Sequence, residues 1–159
     1  LTALHFWSYP YTSLEARDKV IELARLLSDY TGRMEVLVVP FTKVQEAIHK
    51  YAESNYMITL VRRAMMRIAE RVAEARGLQC IINGEDLGQV ASQTLGALSV
   101  TDELSRHIVL RPLIGMDKDE ILRLKQITGL TALFKEVEFG RALKAIENDL
   151  QDEWEEVEK

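Results

Sequence analysis

The stretch Asn83-Gly84-Glu85-Asp86-Leu87-Gly88-Gln89-Val90-Ala91-Ser92-Gln93-Thr94 decides how this chain is read. It follows Leu78-Gln79-Cys80-Ile81-Ile82, a short apolar run bounded by Gly77, which reads as a buried strand. A strand that ends in Asn-Gly and opens into a polar, Gly-containing helix start is how open α/β sheets build a crevice for a nucleotide. The N–H groups at such a helix start point at the ligand, and the glycine lets the backbone come close to it.

Outward from that turn, strands and helices alternate. Leu1 to Trp7 reads as a strand, and Thr12-x-x-Glu15 as a capping box opening a helix to about Tyr30, with Val20, Leu23, Ala24 and Leu27 as its apolar stripe and Gly32 at its end. Met34 to Pro40 is a second strand. Thr42-x-x-Gln45 is a second capping box, for a short helix to about Tyr51. A long helix spans roughly Met57 to Arg76 and closes at Gly77. After the Leu78–Asn83 strand a short helix is expected from about Leu87, then a short strand within His107–Leu110, then a helix capped by Asp117 and Glu120 that ends at Gly129. From Lys135 the chain is acidic and helical in pattern, with Leu143, Ile146, Leu150 and Trp154 on one stripe. The alternation predicts an α/β fold, a parallel sheet with helices on both faces.

Composition agrees. The chain has 159 residues, 47% of them hydrophobic, enough for one real core. No apolar run approaches membrane-spanning length and the first residues carry no signal-peptide pattern, so a cytoplasmic protein that leaves membranes alone is expected. A single cysteine, Cys80, excludes a disulfide framework and a CxxC metal site, and inside an apolar strand it reads as an inert thiol. A net charge of −5 argues against a generic basic nucleic-acid binder while leaving room for a local basic face.

Ligands in such folds bind beyond the carboxyl ends of the strands. His5 and Phe6 stand at the end of the first strand and Gly84 just past the end of the third. Gly84 removes a side chain where a base or ribose would approach, and Phe6 offers an apolar face. Taken singly, Asn-Gly is an ordinary turn and His5 an ordinary core histidine. On the long helix, Val61, Ala64, Met65, Ile68 and Val72 are expected to be the buried face. Arg62 opens the adjoining row with Met66, Ala69 and Ala73. A guanidinium there must reach water, a carboxylate such as Glu85, or a phosphate. Arg63, Arg67 and Arg71, with Glu70 and Glu74 between them, read as a solvated face. Gln89 and Gln93, four apart, share a helix face from which amides can read a base or ribose edge; capping of a nearby loop is the other use for Gln93. Arg111-Pro112-Leu113 followed by Asp117-Lys118-Asp119-Glu120 reads equally as a scaffold turn or as a substrate-facing loop.

The wording of the 83–94 stretch resembles the nucleotide-binding turn of the tRNA 4-thiouridine synthetases (tRNA sulfurtransferases), members of the PP-loop ATP-pyrophosphatase superfamily. Further matches flank it in order: Leu4-His5-Phe6 with Tyr9-Pro10-Tyr11-Thr12-Ser13, Met57 to Met66, and Leu110-Arg111-Pro112-Leu113-Ile114-Gly115-Met116-Asp117-Lys118. The resemblance covers about residues 1–130, leaving 131–159 as a divergent acidic helical tail. It implies a Rossmann-like PP-loop fold and ATP, with Mg2+, as cosubstrate. It assigns ATP contacts to His5, Phe6, Arg62, Gly84 and Gln93, and no metal site made by the protein. In that family ATP adenylates a tRNA uridine and a persulfide sulfur then displaces AMP to give 4-thiouridine, and the same proteins serve thiamine thiazole synthesis. The implied partners are tRNA and a persulfide donor such as a cysteine desulfurase.

Departures from the family pattern set the remaining expectations. No Gly-Gly pair occurs, so the Ser-Gly-Gly-x-Asp-Ser loop that cradles pyrophosphate is not in these residues, and Leu1 falls where the family's second strand begins. Leu133 to Phe139 holds no cysteine to carry a persulfide. The chain therefore reads as a C-terminal portion of such a domain, lacking the sheet's first, central strand. Such a chain is expected to form a homo-oligomer, to pair its exposed strands directly, or to belong to a longer polypeptide. Two other readings stay open: a non-catalytic relative that binds nucleotide, RNA or protein, and another PP-loop enzyme that thiolates or amidates a different acceptor.

Overall fold

The structure, a computed structural model, describes residues 1–87 and 94–127, the last three without their side chains. Its elements alternate as the sequence implies: β1 (Thr2–Trp7), α1 (Leu14–Thr31), β2 (Glu35–Pro40), α2 (Thr42–Tyr51), a 3-10 turn (Ser54–Tyr56), α3 (Met57–Arg76), β3 (Cys80–Ile82), α4 (Leu95–Asp102), β4 (Ile108–Leu110) and α5 (Lys118–Ile127). The chain divides into two compact units, Leu1–Met116 and Asp117–Lys159. In the second, Asp117 and Glu120 cap α5 reciprocally, each backbone N–H donating to the other's carboxylate at 2.8 Å.

Within the first unit, β1 pairs with β2 in parallel, from Thr2 opposite Glu35 to Trp7 opposite Pro40. Strand β3 pairs with β4 in parallel, Cys80 opposite Ile108 and Ile82 opposite Leu110. Among the described residues the two ladders stay separate two-stranded sheets. Direct pairing of β1 with β3, one of the three outcomes considered for a sheet without its central strand, is not adopted. Helix α3 packs on α2 and α4 and backs β3, while α1 lies against β1. The most buried apolar side chains are Ala24, Phe41, Met66, Ala73 and Leu98. No described helix is long and apolar enough to cross a membrane.

Several local expectations shift. The cap of α1 is Ser13, whose hydroxyl accepts from the Ala16 N–H at 3.3 Å; Thr12 instead accepts from the Ser8 N–H at 3.1 Å. Helix α2 has no side-chain cap. Phe41 stands at that position, fully buried, its N–H continuing the ladder to the Trp7 carbonyl, and Thr42 donates to the Tyr9 carbonyl at 2.8 Å. The short helix expected from Leu87 falls largely on residues 88–93, outside the described residues. The helix seen beyond them is α4, capped by the Thr94 hydroxyl accepting from the Ala97 N–H at 3.2 Å. On α3, burial is deepest at Met66 and Ala73, in the row that Arg62 opens, rather than along Val61, Met65 and Val72.

Candidate functional site

The Asn83–Leu87 turn leaves the carboxyl end of β3 and is tied down from both sides. Its backbone donates from Asn83 to the Leu110 carbonyl at 3.1 Å and from Leu87 to the Ile114 carbonyl at 3.2 Å. The Asn83 amide closes the turn on itself: its Oδ1 accepts from the Glu85 N–H at 3.2 Å, and its Nδ2 donates to Glu85 Oε2 at 2.8 Å. Such an Asx turn is what Asn supplies more readily than longer side chains. Gly84, between them, has no positive φ, and among the described residues a Cβ built there would meet Leu113 Cδ1, at 3.9 Å.

Four charged groups from four elements converge on this turn. Arg62 of α3 reaches Glu85, its Nη2 lying 2.7 Å from Oε1. Arg111, just past β4, donates from Nε to Glu85 Oε2 at 2.8 Å. The same guanidinium grips Asp102, the last residue of α4, through both terminal nitrogens, Nη1 to Oδ2 at 3.0 Å and Nη2 to Oδ1. The side chains of Glu85 and Arg111 are about nine-tenths buried and that of Arg62 is mostly so. Two guanidinium groups against two carboxylates leave the cluster neutral, which a poorly hydrated site requires. Burial pulls the Arg111 pKa down, but its hydrogen bonds to Asp102 and Glu85 outweigh that and hold it above the usual arginine value.

On β1, His5 and Trp7 share one face and Phe6 takes the other. The Phe6 ring meets Phe41 edge to face, centroids 5.3 Å apart, so its side chain is committed to the core and the backbone is the part it can present to a ligand. Burial pushes the His5 pKa below the ordinary value, and its Nε2 is enclosed without a hydrogen-bond partner among the described residues. Trp7 Nε1 and Asp86 Oδ1 are enclosed and unpartnered in the same way. Unpaired groups of this kind are uncommon in protein interiors and call for a cause.

Of the five residues singled out in the sequence, the structure brings Arg62 to the Gly84 turn. It places His5 and Phe6 toward the carboxyl end of the other parallel ladder, and Gln93 lies outside the described residues. Sequence reasoning weighed the Arg62–Glu85 pair but missed the Asp102 clamp and the Asn83 brace. The acid at 102 stands nine residues from Arg111 with nothing in its spacing to mark it. An open, apolar groove of about 570 Å³ between α2 and α3 contains none of these residues, and its described lining holds no acid or histidine.

Comparison with known proteins places the chain. The family model described as thiamine biosynthesis protein (ThiI) matches residues 1–157. Among solved structures, a 4-thiouridine synthetase in complex with RNA and bound ATP matches at 36% identity and a TM-score of 0.78. The match covers 82% of this chain and 34% of that one, so the chain spans about a third of that relative's length. A parallel α/β fold, a strand-end turn of the expected wording and a match over nearly every residue agree, and the chain belongs to the ThiI family.

Proposed function

We propose that this chain supplies the base-and-ribose side of the ATP site of a tRNA sulfurtransferase, the enzyme that makes 4-thiouridine, with a further role in thiamine thiazole synthesis. The observation that carries the reading is Arg62, delivered by the inner row of α3 to the glycine turn at the end of β3. A cation at that place suits the phosphates of a nucleotide whose base and ribose lie toward Gly84, His5 and Gln93. The absence of a side chain at Gly84, where an added Cβ would meet Leu113 at 3.9 Å among the described residues, fits a ligand there. The bound ATP and RNA of the structural relative support ATP as cosubstrate and tRNA as acceptor.

In the reaction so proposed, the uracil carbonyl oxygen attacks the α-phosphorus and pyrophosphate leaves. The terminal sulfur of a persulfide then displaces AMP from the ring carbon, and a second thiol attacks the donor's inner sulfur, breaking the S–S bond to release 4-thiouridine and leave a disulfide. The described residues contribute binding and orientation to the first step. Mg2+ is expected to arrive with the triphosphate. The persulfide comes from a donor such as a cysteine desulfurase, and the setting is the cytoplasm.

The test is an ATP titration by calorimetry on Arg62→Ala and on Arg67→Ala, which alters an exposed side chain of the same helix. A charge-assisted contact is worth ~1.5–3 kcal/mol, so Arg62→Ala should weaken ATP by roughly tenfold or more and Arg67→Ala far less. Equal effects would return Arg62 to a purely structural role.

A further inference from the structure

We propose that Glu85 is a positioning residue for the nucleotide phosphates, acting through Arg62; this rests on the reading of Arg62 given above. A long arginine on a helix has many rotamers, and an unanchored guanidinium must give up that freedom when it meets a phosphate. Glu85 removes the freedom beforehand. Its Oε2 is pinned by the Asn83 amide at 2.8 Å and by Arg111 Nε at 2.8 Å, and Arg111 is itself fixed by its two-pronged grip on Asp102. The carboxylate plane is thus set by partners on the far side, and Oε1 presents one defined acceptor to Arg62 Nη2 at 2.7 Å. The chain of support runs from α4 through Arg111 to the turn and then to α3, so each member arrives from an element that the others do not control.

A rival account predicts the opposite sign. If Glu85 served only to neutralise the two arginines, its removal would leave an uncompensated positive charge and tighten the binding of an anion. If it served only to stabilise the fold, its loss would weaken ligands with and without phosphates alike. Preorganisation predicts a loss confined to phosphate-bearing ligands.

The experiment measures binding of ATP and of adenosine by the intact protein carrying Glu85→Gln, Arg62→Ala, or both. Glu85→Gln is expected to weaken ATP about tenfold with adenosine little changed, and the double variant to bind ATP no worse than Arg62→Ala alone. Asn83→Ala, which removes one pin and leaves the carboxylate, should give the same ATP-selective loss at smaller size, and it serves if Glu85→Gln does not fold. Tighter ATP binding, equal losses for ATP and adenosine, or additive losses in the double variant would each overturn the positioning role. Unchanged ATP binding in Arg62→Ala would instead remove the reading on which it rests.

Discussion

Gly84 occupies a position where the fold itself does not call for a glycine. Its φ is not in the left-handed region, and an added methyl group would make an ordinary contact with Leu113 at 3.9 Å. At such a site Gly→Ala commonly gains ~0.4–1 kcal/mol, by narrowing the unfolded ensemble. If the bare backbone is there for a ligand, Gly84→Ala should hold or raise the thermal midpoint while lowering ATP affinity. Unchanged affinity would make Gly84 a plain turn residue. The sequence made this turn legible because Asn-Gly after an apolar run carries its own conformational signature. It also identified Arg62 as a charge needing a partner. What it lacked was the choice among partners, since Glu85 follows in the chain by 23 positions and Arg111 and Asp102 reach it from other elements. Phe41 went unnoticed for a similar reason. Pro40 and Thr42 read as the end of a strand and the start of a helix, and nothing local says that the residue between them fills the space under β1.

Helix α3 was the most legible element, because a helical apolar period held over twenty residues ends at Gly77, whose φ of 62° only glycine adopts freely. Its solvated side was read less well. Glu70, taken with the arginines around it as a surface charge, is mostly buried under the loop between α4 and β4. There its Oε2 accepts from the Ser105 hydroxyl at 2.9 Å and lies 2.9 Å from His107 Nδ1. Desolvation pushes this carboxyl up, but hydrogen bonds from His107, from Ser105 and from the Arg106 and His107 backbone outweigh it and hold the pKa at about 2, against an ordinary 4.5. A depressed carboxyl pKa contributes stability that is complete above the unfolded value and is lost as pH falls toward the folded one. The α3 latch should therefore weaken between about pH 4.5 and pH 2. Glu70→Gln should be less stable than the parent at neutral pH and approach it in acid, read as thermal midpoints across that range. Parallel curves would show that Glu70 makes no such contribution. Period and caps reveal a helix; they do not reveal which distant loop folds back over it, and α4 itself was missed because Leu95-Gly96-Ala97-Leu98 has no amphipathic rhythm.

For the molecule as a whole, the sheet poses the main physical problem. Parallel strands are ordinarily covered on both faces and two-stranded ladders are marginal alone, yet each ladder here has only two strands among the described residues. On β3–β4, Ile82, Ile108 and Leu110 lie on one face and are 54%, 69% and 44% exposed. The edge of β1 that faces away from β2 carries a further row of unpaired backbone groups. Alternation of elements in the sequence announced parallel pairing, and the family wording announced the gap between the ladders. Neither says what fills it. For these 159 residues in isolation, a second copy is the occupant supplied by the sample itself, so light scattering behind size-exclusion should read more than one chain per particle. Ile82→Lys with Ile108→Glu places charge where association would have to bury it, at positions already open to solvent, where surface substitutions usually change folding stability by no more than ~0.5 kcal/mol. The double variant should thus shift the particle toward a single chain with its thermal midpoint nearly kept. A parent chain that is already a monomer would mean that this apolar face tolerates water at no cost in association. A variant that remains assembled would move the contact to the open edge of β1, where Leu4→Pro, which deprives that strand of an N–H, would be the change that releases it.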